Sequence, residues 1–483
     1  MPWNPASTCL QSEYRFGPKV FGVSFNPDKT LSVLQDVEKD APHRGYQPHV
    51  TGEFLIRRLQ GGASGPSIEL EVAANDQALD VGVEWDSEHQ QLLIKTPQRI
   101  DWTRSLRPCM AVRATVWVPE NAELSHLYLA ATHLDVQLAD DLSITTKNGL
   151  EIGTISGTVR SPAVPPSTYR LGSRDIVVDT ISGDIIGSWP LYDSLKIKTQ
   201  SGNIQANVNP QPVLESKPRP AVLEVTSTSG TISVKEPLDQ VAGSTKPETV
   251  IPPRNYITTI EGKSGGIRAW VAFTTVAFAE CISGDLAVEL LPVFDISSQQ
   301  SPGEPELHTS TKSGNVAVRV LEPIWVEIAS TEGTPAKEEP RAKPDEPVDI
   351  PTNPLPVPNI PKMPRMPSAP FIPGIGGPFR RSSVDASTQT EERDIMASDK
   401  PPMRRLKSSH TTISGNAEIH YPASWEGLIT AESKSGKIDI RGKDVRIDSK
   451  TAWPKAVHAH KGQPGSAGVS LGSVSGDQTL IIG

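Results

Sequence analysis

"LKIKTQSGNIQANV", Leu195–Val208, carries the pattern that decides the fold. Leu195, Ile197 and Thr199 alternate with polar residues, the period of a strand with one buried face. After Gly202 the alternation resumes at Ile204, Ala206 and Val208, so its parity has slipped by one residue. Without a backbone feature at the slip, the second strand would turn its apolar side chains into water. Ser201-Gly202 stands at that point. Glycine reaches positive φ at little steric cost, and serine keeps the inward position small, so the pair predicts a tight corner.

The same corner is written ten times. Serine-glycine pairs of this kind begin at Ser156, Ser182, Ser201, Ser229, Ser264, Ser283, Ser313, Ser414, Ser435 and Ser475. Their glycines, Gly157, Gly183, Gly202, Gly230, Gly265, Gly284, Gly314, Gly415, Gly436 and Gly476, are expected to be structural turn glycines. Neighbouring pairs lie 19 to 40 residues apart, except for one gap of about a hundred. A basic unit of about 20 residues, some units carrying loops, is the mark of a stacked array. The fold expected is all-β: a single-stranded β-solenoid of about ten such units. The parity slip alone also allows a meander of two-residue hairpins, with Ser201 and Ile204 opposite each other.

Repeats such as "LKIKTQSGNIQANV" and "LHTSTKSGNVAVRV" resemble those of the adhesin-like β-solenoid domain family of unknown function, found in bacteria and fungi. "MAVRATVWVPENAELSHLYLAATHLDVQL", Met110–Leu138, is similar to that family's lead-in. The resemblance covers roughly residues 70–320 and 408–483. It implies a solenoid and an adhesin-like role, and it brings no catalytic residues. Fungal members of the family commonly carry a membrane-spanning helix before the domain. This chain lacks one, so the resemblance leaves open a missing upstream anchor and a membrane-anchored or cell-surface setting.

Four segments are expected. Residues 1–65 read as a lead-in or cap, because open solenoid ends expose unpaired strand edges. Residues 66–325 read as the main run, with loops at 161–169, 209–220, 236–255 and 295–306. Residues 326–407 hold much of the chain's 45 prolines and cannot bury enough apolar surface to become ordered, so a disordered Pro-rich linker is expected there. Residues 408–483 resume the repeat, so the linker reads as an insertion in one array.

Composition removes several functions. A net charge of −9 gives no electrostatic reason to expect nucleic acid or an anionic membrane. The start has no signal-peptide pattern, and the longest apolar stretch, Ala269–Ile282, is too short and polar to span a bilayer. The chain alone therefore reads as soluble and cytoplasmic. Cys9, Cys109 and Cys281 form neither a zinc site nor a disulfide framework, and read as reduced thiols.

No cofactor and no enzyme activity are expected. The corner acids Asp184, Asp285 and Asp477 read as turn formers, since the equivalent positions elsewhere carry Thr158, Asn203, Thr231, Gly266, Asn315, Asn416 and Lys437. His126, His133, His420, His458 and His460 are scattered, and the His458–His460 pair has no evident third metal ligand. A polysaccharide-active β-helix enzyme, the alternative, would need two carboxylates converging at about 5–9.5 Å.

Two motifs lie in the linker. "RRSSV" places Arg380 and Arg381 before Ser383, the pattern of a basophilic-kinase phosphosite. Thr388-Gln389-Thr390 resembles the anchor by which extended segments add a strand to dynein light chain. The function expected is a non-catalytic binding module for a protein or glycan surface, or else a cytosolic scaffold regulated through this linker.

Overall fold

The computed structural model describes residues 14–38, 45–59, 65–103, 107–296, 304–328, 401–463 and 465–483. The described residues fall in one unit, Met1–Thr331 with Pro401–Gly483. It is all-β, with a six-residue helix at Leu238–Gly243 and a 3-10 turn at Pro247–Thr249.

Each corner separates two strands that belong to different sheets. Ser194–Thr199, before Gly202, pairs in parallel with Asp175–Thr180 and Ala221–Ser227. Ile204–Pro210, after it, pairs in parallel with Ile185–Leu191 and Ile232–Lys235. The strands flanking the corner are therefore not each other's partners, and the hairpin meander is excluded. We call the strands before the corners sheet I, those after them sheet II, and one strand of each with its corner a rung. Both sheets are open ladders, with antiparallel strands at both ends of sheet I and at one end of sheet II.

The parity slip does what burial requires. Leu195, Ile197 and Thr199 of sheet I and Ile204, Ala206 and Val208 of sheet II are all buried. Stacked in register, such residues form one hydrophobic core between the sheets. Glu306–Ser313 pairs with Lys407–Ser414, placing Ser313 beside Ser414. Val316–Val320 likewise pairs with Ala417–Tyr421. The rungs on either side of residues 329–400 thus stack directly on each other.

Stacking order departs from chain order at both ends. Thr30–Val37 lies between Gln91–Thr96 and Ala122–Ala131. His49–Arg58 lies between Cys109–Val118 and Asp135–Leu138. The last rung, Gly468–Ser475 with Gln478–Ile482, sits between the rungs of Lys407–Ser414 and Gly427–Ser435. Each of these segments is paired along both edges. The outermost strands are Tyr14–Gly22 and Gly82–Asp86 at one end, and Val445–Ala452 and Ile438–Gly442 at the other. Tyr14–Gly22 carries Pro18 and a register break between Phe16 and Lys19, features that discourage further pairing.

Two buried polar groups make stability depend on pH. Glu236 is fully buried; one of its oxygens accepts from the Ala272 N–H at 2.7 Å and the other has no partner. Burial pushes its carboxyl up to about 8, against an ordinary 4.5. A raised carboxyl pKa contributes stability below the unfolded value and loses it as pH rises through the folded one. His410 is buried between Thr309, 2.7 Å from its Nδ1, and Tyr421, 3.1 Å from its Nε2. Burial pushes it down to about 3, so its contribution is present above about 6.5 and lost as pH falls towards 3. Thermal unfolding of the Glu236→Gln variant is therefore expected to lose most of the wild-type decline between pH 5 and 9, a difference of up to roughly 4 kcal/mol at the alkaline end. Parallel pH profiles for the two proteins would contradict this.

Candidate functional site

The corners are built for stacking, which bears on every site residue expected there. All ten corner glycines stand in one column. A Cβ at Gly183 would lie 1.8 Å from the Gly157 carbonyl oxygen, and one at Gly202 would lie 1.9 Å from that of Gly183. The column continues to Gly415, Gly476 and Gly436, each facing the carbonyl of the glycine before it in the stack at 2.0 to 2.1 Å. Positive φ, expected as the reason for glycine, holds only in the later corners, as at Gly284 with φ +143°. In the earlier corners, Gly157 to Gly230, φ is not positive, and the close approach of the neighbouring backbone is what excludes a side chain.

Three residues before each glycine, the inward position is Thr, Ser, Cys or Gly: Thr154, Thr180, Thr199, Ser227, Gly262, Cys281, Thr311, Thr412, Ser433 and Ser473. Most of these hydroxyls satisfy corner backbone that would otherwise be buried unpaired, whereas that of Thr412 has no partner. Thr154 donates to the Gly157 carbonyl at 2.6 Å and Thr180 to that of Gly183 at 2.7 Å. Thr199 and Ser227 accept from the Gly202 and Gly230 N–H groups at 2.9 Å.

One residue after the glycine, a second ladder runs on the outside. Asp184 accepts from the Asn203 N–H at 2.7 Å, and Asn203 accepts from that of Thr231 at 3.0 Å. Asp285 accepts from the Asn315 N–H, Asn315 from that of Asn416, Asn416 from that of Asp477 and Asp477 from that of Lys437, at 2.8 to 3.1 Å. Each side-chain oxygen thus secures the next rung. Asp184, Asp285 and Asp477 are rung-to-rung acceptors, a role that Asn203, Asn315 and Asn416 fill equally.

Among the described residues, no group of three His, Cys, Asp or Glu could hold a metal ion. His460 contacts Asp448 at 2.9 Å, His126 lies 4.0 Å from Glu151, and His133 lies 3.3 Å from the Ser156 hydroxyl. The expectation of three reduced thiols fails at Cys109, which is disulfide-bonded, whereas Cys281 is a buried free thiol. Ser383 and Thr388, Gln389 and Thr390 lie outside the described residues. No helix among the described residues is long and apolar enough to cross a membrane.

A basin of about 310 Å³ opens on the outer face of sheet II. In the rungs that form it, the residues three and five places after the corner glycine point outward. In four successive rungs those positions hold Arg268 and Trp270, Ala287 and Glu289, Ala317 and Arg319, and Glu418 and His420. Ala287 and Ala317 are adjacent in the first column and leave a floor of two methyl groups. Trp270, Glu289, Arg319 and His420 form one wall and Glu418 closes an end. Arg319 lies 3.7 Å from Glu289, and His420 lies 3.0 Å from Glu418. The Arg319 side chain is 67% exposed, which leaves most of its donors available to a ligand.

Sequence reasoning singled out only His420 of this group. The signal was present: once the repeats are aligned on their glycines, the third position falls from Arg268 to two alanines and returns to Glu418. A dip between long side chains in adjacent rungs is a depression.

No family model and no curated protein matches this chain, so the likeness to the adhesin-like β-solenoid family rests on the repeats themselves. Among solved structures, a "putative cell adhesion protein" from Clostridium sporogenes is 6% identical, covering 97% of this chain and 99% of its own, with a TM-score of 0.14. A "putative adhesin" from Parabacteroides distasonis is 8% identical over 64% of this chain and 95% of its own, with a TM-score of 0.23. A "putative lipid binding protein" from the same species is 12% identical over 64% and 97%, with a TM-score of 0.26. With scores this low, these likenesses carry no weight for the function of this chain.

Proposed function

We propose that this chain is a non-catalytic, adhesin-like binding module: a single-stranded β-solenoid that presents a ligand site on the outer face of sheet II. The observation that carries this reading is the basin, assembled from four rungs that include both sides of residues 329–400. A rigid, in-register ladder holds its side chains at fixed spacing, the preorganisation that binding rewards.

The alternative of a polysaccharide-active enzyme is less well supported. Glu289 and Glu418 both line the basin, but they sit two rungs and two residues apart, on the order of 12 Å between their Cα atoms. A general acid needs desolvation or a like charge beside it. The Glu418 side chain is 65% exposed and its neighbour at 3.0 Å is a histidine.

The test is binding of the full-length protein to immobilised mannan, β-1,3-glucan and chitin oligomers, and to immobilised collagen and fibrinogen. Ala317 is exposed, so Ala317→Arg fills the floor without entering the core. Saturable binding to at least one surface is expected, weakened about tenfold or more by this variant. Binding that Ala317→Arg leaves unchanged would remove the basin as the site, and binding to none of the surfaces would remove the adhesin-like reading.

A further inference from the structure

We propose that the basin recognises a neutral saccharide. This rests on the reading of the basin as the ligand site and specifies its ligand class.

The floor, and the Trp270 end of the wall, are hydrocarbon. The Ala287 and Ala317 methyl groups and the partly buried Trp270 side chain offer apolar surface to the C–H face of a sugar ring. The rim is polar and of mixed sign. Glu289 with Arg319 places a carboxylate and a guanidinium side by side, and Glu418 with His420 places a carboxylate beside an imidazole. Neighbouring hydroxyls each donate and accept, so an acceptor next to a donor matches a polyol. Opposed charges leave no strong field of one sign, which argues against an ionic ligand. Arg268, one rung beyond the floor in the same column, adds a cation that offsets the second carboxylate.

Other ligand classes fit less well. An extended peptide gains its affinity from main-chain hydrogen bonds at a free strand edge. The basin lies on a sheet face, where every strand beneath it is paired on both edges. An acyl chain needs an enclosed apolar cavity, whereas this site has a charged rim and an exposed arginine. A monosaccharide or a short oligosaccharide, free or as the end of a glycan, presents the same chemistry.

The experiment is calorimetric titration of the full-length protein. The probes are neutral tetrasaccharides of glucose, mannose and N-acetylglucosamine, and a tetrasaccharide of uronic acid. The variants are Ala317→Arg and Glu289→Gln, both on the outer face, with thermal unfolding measured as a fold control. At least one neutral tetrasaccharide is expected to bind, with either variant weakening it about tenfold or more at an unchanged unfolding temperature. The sugar should be recovered intact by mass spectrometry. A response to the free tetrasaccharide identifies a soluble saccharide as sufficient; a response only to the immobilised polymer assigns the site to glycan surfaces. Tighter binding of the uronate would overturn the neutral assignment. So would the absence of any saccharide binding, free or immobilised, up to about 10 mM. In that last case, collagen or fibrinogen binding that Ala317→Arg abolishes would leave the binding module standing with a protein as its ligand.

Discussion

Replacing Gly202 by alanine is expected to cost roughly 3 kcal/mol or more of folding stability, at the upper end of what overpacking does. In an open strand position the same change is neutral or stabilising, because alanine reduces the freedom of the unfolded chain. At Gly202 the added methyl would stand 1.9 Å from the Gly183 carbonyl oxygen and 2.5 Å from its carbon, both backbone atoms of the neighbouring rung. Neither rung can give way without lengthening the hydrogen bonds that join them, such as Ser201 N–H to Ile181 O at 2.8 Å. Backbone strain is not the cause, since Gly202 does not have positive φ. Gly153 supplies the comparison, with no positive φ and nothing within 4 Å of a Cβ. Gly153→Ala is expected to fall within about 0.5 kcal/mol of wild type or to stabilise it. The check is the pair of urea midpoints, read at constant slope. Equal midpoints for the two variants would contradict a close-packed glycine column.

A second large effect is expected at Asp193. Its carboxylate is 3% exposed and lies 3.2 Å from Nη2 of Arg254, itself 2% exposed; its other oxygen accepts from Arg174. Arg254 also donates to the Gln211 carbonyl at 2.9 Å and to that of Arg219 at 2.8 Å. The guanidinium thereby fastens the loop at 209–220 onto the rungs. Asp193→Ala leaves Arg254 buried without its counter-charge, a loss of about 3–5 kcal/mol. Removing both charges is a different matter. The double variant Asp193→Leu with Arg254→Met should recover a substantial part of that loss, because the buried pair is costly to desolvate in the first place. A double variant no better than Asp193→Ala would mean that the loop depends on the Arg254 carbonyl contacts rather than on charge balance.

Much of the architecture was legible from one repeat. The parity slip at Ser201-Gly202 follows from which face each strand buries, and burial is the dominant driving force. Pairing was less legible, because a hairpin and a stacked corner make the same parity demand; only the partners of Leu195 and Ile204 separate them. The interlocked ends left no local mark either. Thr30–Val37 and Gly468–Ser475 carry the same alternation whether they pair along one edge or both. The reason for the glycines was read incompletely: positive φ is a property of one residue, whereas the Gly157–Gly183–Gly202 column is a contact between rungs. The basin was missed for the same cause, since Trp270, Glu289, Arg319 and Glu418 become neighbours only after stacking. Buried single groups such as Glu236 and Asp193 sit in loops or at rung ends, where no period marks them.

Stacking in register sets Ala317 beside Glu418 across about a hundred residues of chain. Cα atoms of paired positions on adjacent strands lie about 4.8 Å apart, inside the range of about 4.4–6.8 Å that a disulfide spans. The most direct measurement is therefore oxidative cross-linking of the monomeric Ala317→Cys, Glu418→Cys variant, read by peptide mass spectrometry. A second variant, Gln205→Cys with Ala317→Cys, places the two thiols in the same outward column four rungs apart. The expected result is an intramolecular link in the first variant and none in the second. Unlinked thiols in the first variant, or equal linking in both, would contradict the stack and the basin together.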